Sequence, residues 1–321
     1  KLLITQPAVV LRTINLVFKN KAKAKKYISK RHEIEPQILP YNKNVLDVIK
    51  KYKKMGYKIV LATGTSDDFA YSISNYLQLF DEVIATNKSI NMIGRNKLKA
   101  IKKAINDDFI YIGDSNKDIP IWLHCKKAIL VGSNNIMEKL KKHEVEIIDT
   151  VKNKELYLYV LLKQLRIHQW SKNLLVFVPA LASHQLLSST IFMNASKAFL
   201  AFSFMASSIY ILNDIADIDH DRKHPKKKTR PIAAGDLSIL SAYFYMFTCF
   251  FIGAFLSYSL GLTFLMLVSV YAFLNLFYSF YFKKIIILDI IILMSFYAIR
   301  LIAGHIPDSI PLSPWLLSFS I

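Results

Sequence analysis

The sequence predicts a protein of two parts, an N-terminal α/β domain with a parallel sheet and a C-terminal all-α bundle of membrane-spanning helices. Lysines concentrate in residues 1–155, whereas Leu, Ile, Phe, Tyr, Ala and Ser dominate residues 170–321. Short apolar runs alternate with amphipathic stretches in the first part, and apolar runs of membrane length follow in the second. We therefore expect domains at 1–152 and 153–321.

Composition narrows the functional classes. The 321 residues carry a formal net charge of +19, which is compatible with a nucleic-acid or an anionic-lipid partner. Because no nucleic-acid-binding module appears, we expect membrane lipids and not nucleic acid as partners. The two cysteines, Cys125 and Cys249, fall in different predicted domains, so a disulfide framework is not expected and a reducing cytoplasm fits.

The α/β part shows four buried strands, and its two clearest helices lie between them. Ligands of such sheets bind beyond the carboxyl ends of the strands. Polar residues occupy two of those ends, Thr63-Gly64-Thr65-Ser66 and Gly113-Asp114-Ser115 followed by Asp118. The predicted strands are 57–63, 81–86, 109–114 and 128–132, and the predicted helices are 67–80 and 95–105.

These strand ends resemble the motifs of haloacid dehalogenase-like (HAD) phosphohydrolases, which have a Rossmannoid parallel sheet, over about residues 1–150. The stretch VLATGTS looks like the second motif, and the resemblance makes Thr63, with Gly64, the phosphate-binding element. GRNKLKAI looks like the third motif, with Lys97 as the cation that faces phosphate. GDSNKD looks like the fourth, with Asp114 and Asp118 as carboxylates linked to Mg²⁺.

One family feature has no match. The first HAD motif is an Asp-x-Asp pair after an N-terminal strand, and it supplies the phosphoryl-accepting nucleophile. Nothing before Thr63 fits it, and KLLITQPAVVLRTINLVF is interpreted as a cap helix. We expect the missing strand to lie upstream of residue 1; the alternative is that the domain has lost its chemistry.

The second part contains five candidate membrane spans and the start of a sixth. Lysine and arginine occur between the second and third spans and again at Lys283 and Lys284, whereas the opposite connections carry neither. The positive-inside rule therefore places the α/β domain and these basic loops in the cytoplasm, at the cell (inner) membrane. The candidate spans are 173–185, 190–212, 238–259, 262–282 and 286–304, with the sixth beginning near 312.

An acid-rich stretch ends the second span. If the helix continues at about 100° per residue, with Asp214 at 0°, then Asp217 falls at about 300°, Asp221 at about 340° and Asn213 at about 260°, whereas Asp219 lies apart at about 140°. Carboxylates gathered on one face repel unless a cation neutralises them. Oxygen ligands beside a polyphosphate suggest Mg²⁺, and the following Lys228 and Arg230 could bind the phosphates. The alternative is a solvated topology signal, which explains the lysines but requires no acids.

This half resembles the UbiA superfamily of membrane prenyltransferases over residues 160–321. Its first acid motif, N-D-x-x-D-x-x-x-D, is matched by Asn213, Asp214, Asp217 and Asp221. The resemblance makes the three aspartates metal ligands and catalytic residues. The stretch RIHQWSKNLLVFVPAL looks like the first helix of the superfamily, with Arg166, Gln169, Lys172 and Asn173 at the cavity mouth. Because the superfamily has about nine spans, we expect the bundle to be truncated at its C-terminal end, with about five and a half spans present.

The second acid motif departs from most members, which carry two aspartates four residues apart. This chain has Asp289 but Leu293. Tyr278, Lys283, Asp289, Arg300 and the stretch IPLSPW instead look like the decaprenyl-phosphate phosphoribosyltransferase group. That resemblance makes Tyr278 and Lys283 catalytic and makes Asp289 and Arg300 substrate-binding, together with Asn213, Lys228, Arg230, Lys172, Asn173 and Arg166.

The predicted function is a Mg²⁺-dependent UbiA-type transfer from phosphoribosyl pyrophosphate to polyprenyl phosphate. A tethered HAD domain could then remove the 5-phosphate of the product, since tethering raises effective concentration. Two alternatives remain open. One is an aromatic prenyltransferase that uses a prenyl diphosphate, and the other is a HAD phosphatase anchored by an inert membrane domain.

Overall fold

The computed structural model describes residues 7–105, 108–132, 134–151, 156–282, 285–311, 314–315 and 318. The chain divides into two compact units, Lys1–Lys154 and Glu155–Ile321. The first contains parallel strands and helices, and the second is helical. The predicted fold class is therefore confirmed.

The first unit alternates helices and strands along the chain. Helix α1 covers the described part, residues 7–18, of the segment that we interpreted as a cap helix. Helix α2 follows after Asn20, whose side chain caps α2 by accepting from the backbone amides of Ala22 and Lys23. In chain order the elements are α1 (Pro7–Lys19), α2 (Lys21–Ser29), α3 (Lys43–Lys54), β1 (Val60–Ser66), α4 (Asp67–Leu77), β2 (Glu82–Thr86), α5 (Arg95–Ala104), β3 (Ile110–Gly113), α6 (Ile119–Trp122), β4 (Lys127–Val131), α7 (Asn134–Lys141) and β5 (Ile147–Val151).

The strands form two parallel groups. Strand β1 pairs with β2, and β4 lies between β3 and β5. All four predicted strands occur, and β5 is a further strand that the sequence analysis did not predict. Because neighbouring strands are parallel, their carboxyl ends meet at one edge of each group, where the predicted HAD residues lie.

A cavity of about 720 Å³ separates the two groups. Its walls include Val60, Leu61 and Ala62 of β1 and Ile110, Tyr111 and Ile112 of β3. The pairing described above leaves both strands with an edge that faces this space. Side chains of two parallel strands therefore line this space.

The second unit is a helical bundle. Its helices are α8 (Tyr157–Leu165), α9 (Val178–Ala182), α10 (Ser189–Ala216), α11 (Ile218–Lys223), α12 (Pro231–Ala234), α13 (Ile239–Ser259), α14 (Leu262–Phe280) and α15 (Ile286–His305). A 3₁₀ segment, Ile167–Phe177, joins α8 to α9. Within the described part of the chain, four helices are long and apolar enough to cross a membrane: Ser189–Ala216, Ile239–Ser259, Leu262–Ser279 and Ile287–His305.

The first predicted span, 173–185, is wrong as a continuous helix. The chain forms the 3₁₀ segment and the short α9 there. Pro179 contributes no backbone amide, and Lys172 and Asn173 add polar groups just before it, so an uninterrupted apolar helix is disfavoured. Most of the predicted sixth span lies outside the described residues.

Helix α10 packs against both α13 and α14. Small residues permit this close approach: a Cβ added at Gly253 of α13 would lie 3.1 Å from the carbonyl oxygen of Ala201. Three small residues are buried along α10: Ala198, Ala201 and Ala206. The packing of α10 continues to its acidic end, which is buried rather than solvated.

Candidate active sites

The acid cluster of the membrane unit lies where α10 ends and α11 begins. Asp214 is 3% exposed and Asp221 is 2% exposed. The backbone amides of Asp217 and Asp221 donate to the carbonyls of Asn213 and Asp217, so helical spacing persists across the junction. One Arg230 nitrogen, Nη1, binds Asp214 Oδ1 at 3.1 Å and Asp221 Oδ2 at 2.7 Å. The structure thus brings together the predicted Asp214, Asp221 and Arg230.

A second arginine reaches the cluster from α8. Arg166 Nη2 donates to Asp214 Oδ1 at 2.6 Å, and its guanidinium lies 4.8 Å from the Tyr210 ring centroid. Arg166 has φ of 53°, in the left-handed region that non-glycine residues rarely adopt. This backbone ends α8 and directs the chain into the 3₁₀ segment. Strained residues of this kind concentrate at functional sites.

Gln164 is a site residue that the sequence analysis missed. It is fully buried and donates from Nε2 to Asp214 Oδ2 at 2.9 Å. Its Oε1 atom is buried with no hydrogen-bond partner, and the same holds for Asn213 Oδ1. Asn213 Nδ2 meanwhile binds Ser279 Oγ at 2.8 Å. The only sequence signal for Gln164 was its place two residues before Arg166.

The donor set fits a hard cation in chemical type. Asp214 and Asp221 supply carboxylate oxygens, and Gln164 and Asn213 supply amide oxygens that lack a donor, which are the ligand types of Mg²⁺. Asp217 is half-buried at the helix junction beside them. Within the described ranges, no three His, Cys, Asp or Glu side chains are grouped closely enough to hold a metal. The metal assignment therefore stays a prediction, and in the structure Arg166 and Arg230 pair with Asp214 and Asp221.

A second polar pair joins α14 and α15. Tyr278 donates from its hydroxyl to Asp289 Oδ1 at 2.7 Å. Leu293, four residues after Asp289, is 40% exposed. The predicted catalytic Lys283 lies outside the described residues. The pairing of Tyr278 with Asp289 is consistent with the shared site that we predicted for them.

The structure places Arg300 in a different network. Its Nε donates to Asn173 Oδ1 at 2.7 Å, and its Nη2 donates to the Tyr271 hydroxyl at 3.2 Å. Asn173 Nδ2 in turn binds Ser203 Oγ at 2.9 Å. Ser203 precedes Asp214 on α10 by roughly 16 Å along the helix axis. Arg300 and Asn173 therefore lie apart from the acid cluster, whereas Lys172 and Lys228 are exposed.

The HAD-like residues divide into two groups. Lys97 is buried and binds Asp118 Oδ1 at 2.8 Å and the Tyr111 hydroxyl at 3.1 Å. Burial raises the pKa of the Tyr111 phenol, and the nearby Asp118 carboxylate adds to the effect. Asp114 is exposed at the end of β3. The third and fourth predicted motifs thus meet through the contact of Lys97 with Asp118.

The predicted phosphate loop ends β1. The Thr65 amide donates to Thr63 Oγ1 at 3.2 Å, and the Gly64 carbonyl accepts from Thr86 Oγ1 at 2.9 Å. A Cβ at Gly64 would lie 3.0 Å from Ile93 Cγ1, so the loop 91–94 closes tightly on this turn. Lys25 of α2 also donates to the Gly64 carbonyl, a contact that sequence reasoning missed.

Comparison with known proteins gives two family matches. Residues 175–321 match the UbiA prenyltransferase family, and residues 15–122 match the haloacid dehalogenase-like hydrolases. Both resemblances drawn from the motifs are thereby confirmed.

Three relatives extend the comparison. The uncharacterized protein y4nM of Sinorhizobium fredii is 34% identical over 98% of this chain and 61% of its own length. The decaprenyl-phosphate phosphoribosyltransferase of Corynebacterium glutamicum is 36% identical over 49% of this chain and 48% of its own length. That of Mycolicibacterium smegmatis is 38% identical, over 49% and 51%. The chain therefore spans about half to three-fifths of these relatives.

Proposed function

We propose, on the premise that residues 175–321 belong to the UbiA prenyltransferase family and residues 15–122 to the haloacid dehalogenase-like hydrolases, that this membrane protein transfers a phosphoribosyl group to a polyprenyl phosphate. The donor is phosphoribosyl pyrophosphate, and the products are polyprenylphosphoryl-phosphoribose and pyrophosphate. The relatives named decaprenyl-phosphate phosphoribosyltransferase support this choice. The observation that carries it is the pair of buried carboxylates held by Arg166 and Arg230.

In this reaction the bond from ribose C1 to pyrophosphate breaks, and a lipid phosphate oxygen bonds to C1. Arg166 and Arg230 are only partly buried, so they can turn from the carboxylates toward phosphate oxygens, which a guanidinium binds in a fork. Asp214, Asp217 and Asp221 would then hold Mg²⁺, and the ion would supply positive charge to offset that of the departing pyrophosphate. Gln164 keeps the Asp214 carboxylate oriented during this exchange.

The second acid region argues against the aromatic prenyltransferase alternative. Asp289 is the single acid at that motif, and it is occupied by the Tyr278 hydroxyl. Leu293 stands in place of the second aspartate. A second metal on a prenyl diphosphate would lack this carboxylate, so we rank the alternative below phosphoribosyl transfer.

For the HAD-like unit we propose hydrolysis of the 5-phosphate of the product. Water and the phosphomonoester would yield a ribosyl lipid and inorganic phosphate. The contact of Lys97 with Asp118 and the Thr63–Gly64 turn support a phosphate site. We further propose that both sites face the cytoplasm at the inner membrane.

The transfer is tested with radiolabelled phosphoribosyl pyrophosphate and polyprenyl phosphate in membranes that contain the protein. A labelled lipid that requires Mg²⁺ is expected. Asp214→Asn should lower its formation at least a hundredfold, roughly the effect of removing one group that stabilises transition-state charge. Asp219→Asn is the matched control, since Asp219 lies off the acid face, and it should retain activity.

Two outcomes would contradict the proposal. Transfer of a prenyl group from a prenyl diphosphate to a phenolic acid, without phosphoribosyl pyrophosphate, would favour the aromatic prenyltransferase. Phosphatase activity with no labelled lipid would favour an anchored phosphatase.

A further inference from the structure

Helix α2 lies over the carboxyl end of β1. Lys25 Nζ binds Asn91 Oδ1 at 2.7 Å as well as the Gly64 carbonyl. One turn later, the Ser29 and Ser66 hydroxyls lie 2.7 Å apart. Lys26 Nζ binds Asp67 Oδ1 at 2.6 Å and Asp68 Oδ1 at 2.7 Å. These contacts fix α2 directly beside the turn that carries the predicted phosphate-binding Thr63.

A lysine-lined cavity opens at the same strand edge. It has a volume of about 500 Å³ and is bordered by Lys26, Lys30, Asp67, Asn87, Lys88 and Ser89. Three lysines lie near two carboxylates there, because Lys26 pairs both with Asp67 of the cavity wall and with the adjacent Asp68. Lys30 and Lys88 are exposed and contribute two further positive charges.

The turn after β2 holds Lys88 in place. Asn87 Oδ1 accepts from the backbone amides of Ser89 and Ile90 at 2.9 and 2.8 Å. An Asx turn of this kind fixes local backbone direction. Lys88 therefore projects from an ordered turn, while Lys30 projects from the end of α2 on another part of the cavity wall.

Positive charge exceeds negative charge around this edge. Burial lowers the pKa of Lys25, and repulsion from Lys117, Lys21 and Lys97 lowers it further. A phosphate dianion would relieve this repulsion. Lys25 contacts the predicted phosphate turn, and its neighbour Lys26 borders the cavity. One anion could therefore lie at the turn and a second anion in the cavity, on either side of α2.

We propose that the cavity bordered by Lys26, Lys30 and Lys88 is a second anion subsite, which binds the C1 phosphate of a phosphorylated sugar whose phosphomonoester lies at Thr63 and Lys97. The inference rests on the proposed phosphatase role of the first unit. It defines the substrate class as a sugar that carries a second phosphate, either a monoester or a diester, and not a simple phosphomonoester.

Calorimetric titration of the full chain in detergent with ribose 1,5-bisphosphate and ribose 5-phosphate tests the subsite without needing turnover. The bisphosphate should bind more tightly to the unsubstituted chain. Lys30→Gln with Lys88→Gln should weaken bisphosphate binding roughly tenfold and monophosphate binding less than about twofold, since exposed charge pairs contribute modestly. Lys23→Gln with Lys103→Gln removes the same charge at exposed lysines outside the cavity and should change neither affinity.

If the Lys30→Gln, Lys88→Gln variant binds both ligands equally more weakly, or binds neither more weakly, the subsite is overturned. The phosphate site at Thr63 stays intact in either case. If glycerophosphoglycerol competes as well as the bisphosphate, the lysines bind membrane headgroups, and the sugar assignment is overturned. If neither sugar phosphate binds the unsubstituted chain, the subsite and the proposed phosphatase role both fail. The lipid-transfer assay reports on the other unit and stays separate from all three results.

Discussion

Arg230 binds two buried carboxylates, those of Asp214 and Asp221, through one guanidinium nitrogen. Its loss would leave less positive charge to offset these two negative charges in a site shielded from water. Arg166 still contacts Asp214, whereas the ion-pair partner of Asp221 is Arg230. Removing one partner of a buried ion pair typically costs about 3–5 kcal/mol. The residue that we expect to bind substrate phosphate thus also stabilises the unliganded site.

We predict that Arg230→Met lowers the thermal midpoint of the detergent-purified protein by several degrees and abolishes lipid labelling. The physical reason is the uncompensated charge on Asp221. Lys228→Met is the matched control, because Lys228 is exposed two residues earlier and its removal changes net charge equally. Light scattering during a temperature ramp measures both midpoints, and equal midpoints would contradict the stabilising role.

At the scale of elements, the junction of α10 and α11 decides which acids converge. Although α10 ends at Ala216, the backbone bonds from Asp217 and Asp221 keep the spacing of a helix. The helical angles computed from the sequence therefore place Asp214 and Asp221 correctly on one side. The approach of α8, which brings Gln164 and Arg166 to Asp214, required the tertiary structure.

We expect the contacts of α2 with Asp67 and Asp68 of α4 to weaken at low pH. The hydrogen bond from Lys26 holds the pKa of Asp68 below its ordinary value, with Ser29 adding to it. At Asp67 burial raises the pKa of the carboxyl, yet the hydrogen bond from Lys26 helps to keep that pKa below its ordinary value. A carboxylate whose pKa is lowered by folding stabilises the folded state at pH values above its ordinary pKa, which is near 4. That stabilisation is lost as the pH falls through the pKa of the folded state.

Hydrogen exchange of residues 21–29 at pH 7 and pH 3, corrected for intrinsic rates, should show lower protection at pH 3. Asp67→Asn with Asp68→Asn should remove most of this pH dependence. Asp47→Asn, at an exposed position on α3, should preserve it. Protection that is equal at both pH values in the unsubstituted chain would show that the Lys26 contacts do not hold α2.

For the whole molecule, four apolar helices and the UbiA match make the second unit a multi-pass membrane domain. We propose its sidedness from charge, because six basic residues lie between α10 and α13: Arg222, Lys223, Lys226, Lys227, Lys228 and Arg230. The positive-inside rule predicts that this loop is cytoplasmic.

Single cysteines should report that orientation in intact cells, in a background with Cys125 and Cys249 replaced by serine. Lys227→Cys should resist a membrane-impermeant maleimide, whereas Ser188→Cys, before α10, should react. After lysis both should react, which controls for accessibility. Labelling of Lys227→Cys in intact cells would reverse the proposed topology and place the acid cluster outside the cytoplasm.

The sequence alone determined the two-part architecture, four of the five described strands and both families, because each depends on local period and motif spacing. It predicted a single span at 173–185, where the chain instead forms a 3₁₀ segment followed by a short helix, because the length of an apolar run does not reveal this change of helix type. Only the tertiary structure showed that Arg166 and Arg230 neutralise Asp214, that Gln164 supports it, and that Arg300 belongs to another network. Those contacts join residues far apart in the chain, and their partners follow from how helices pack, which no local pattern encodes.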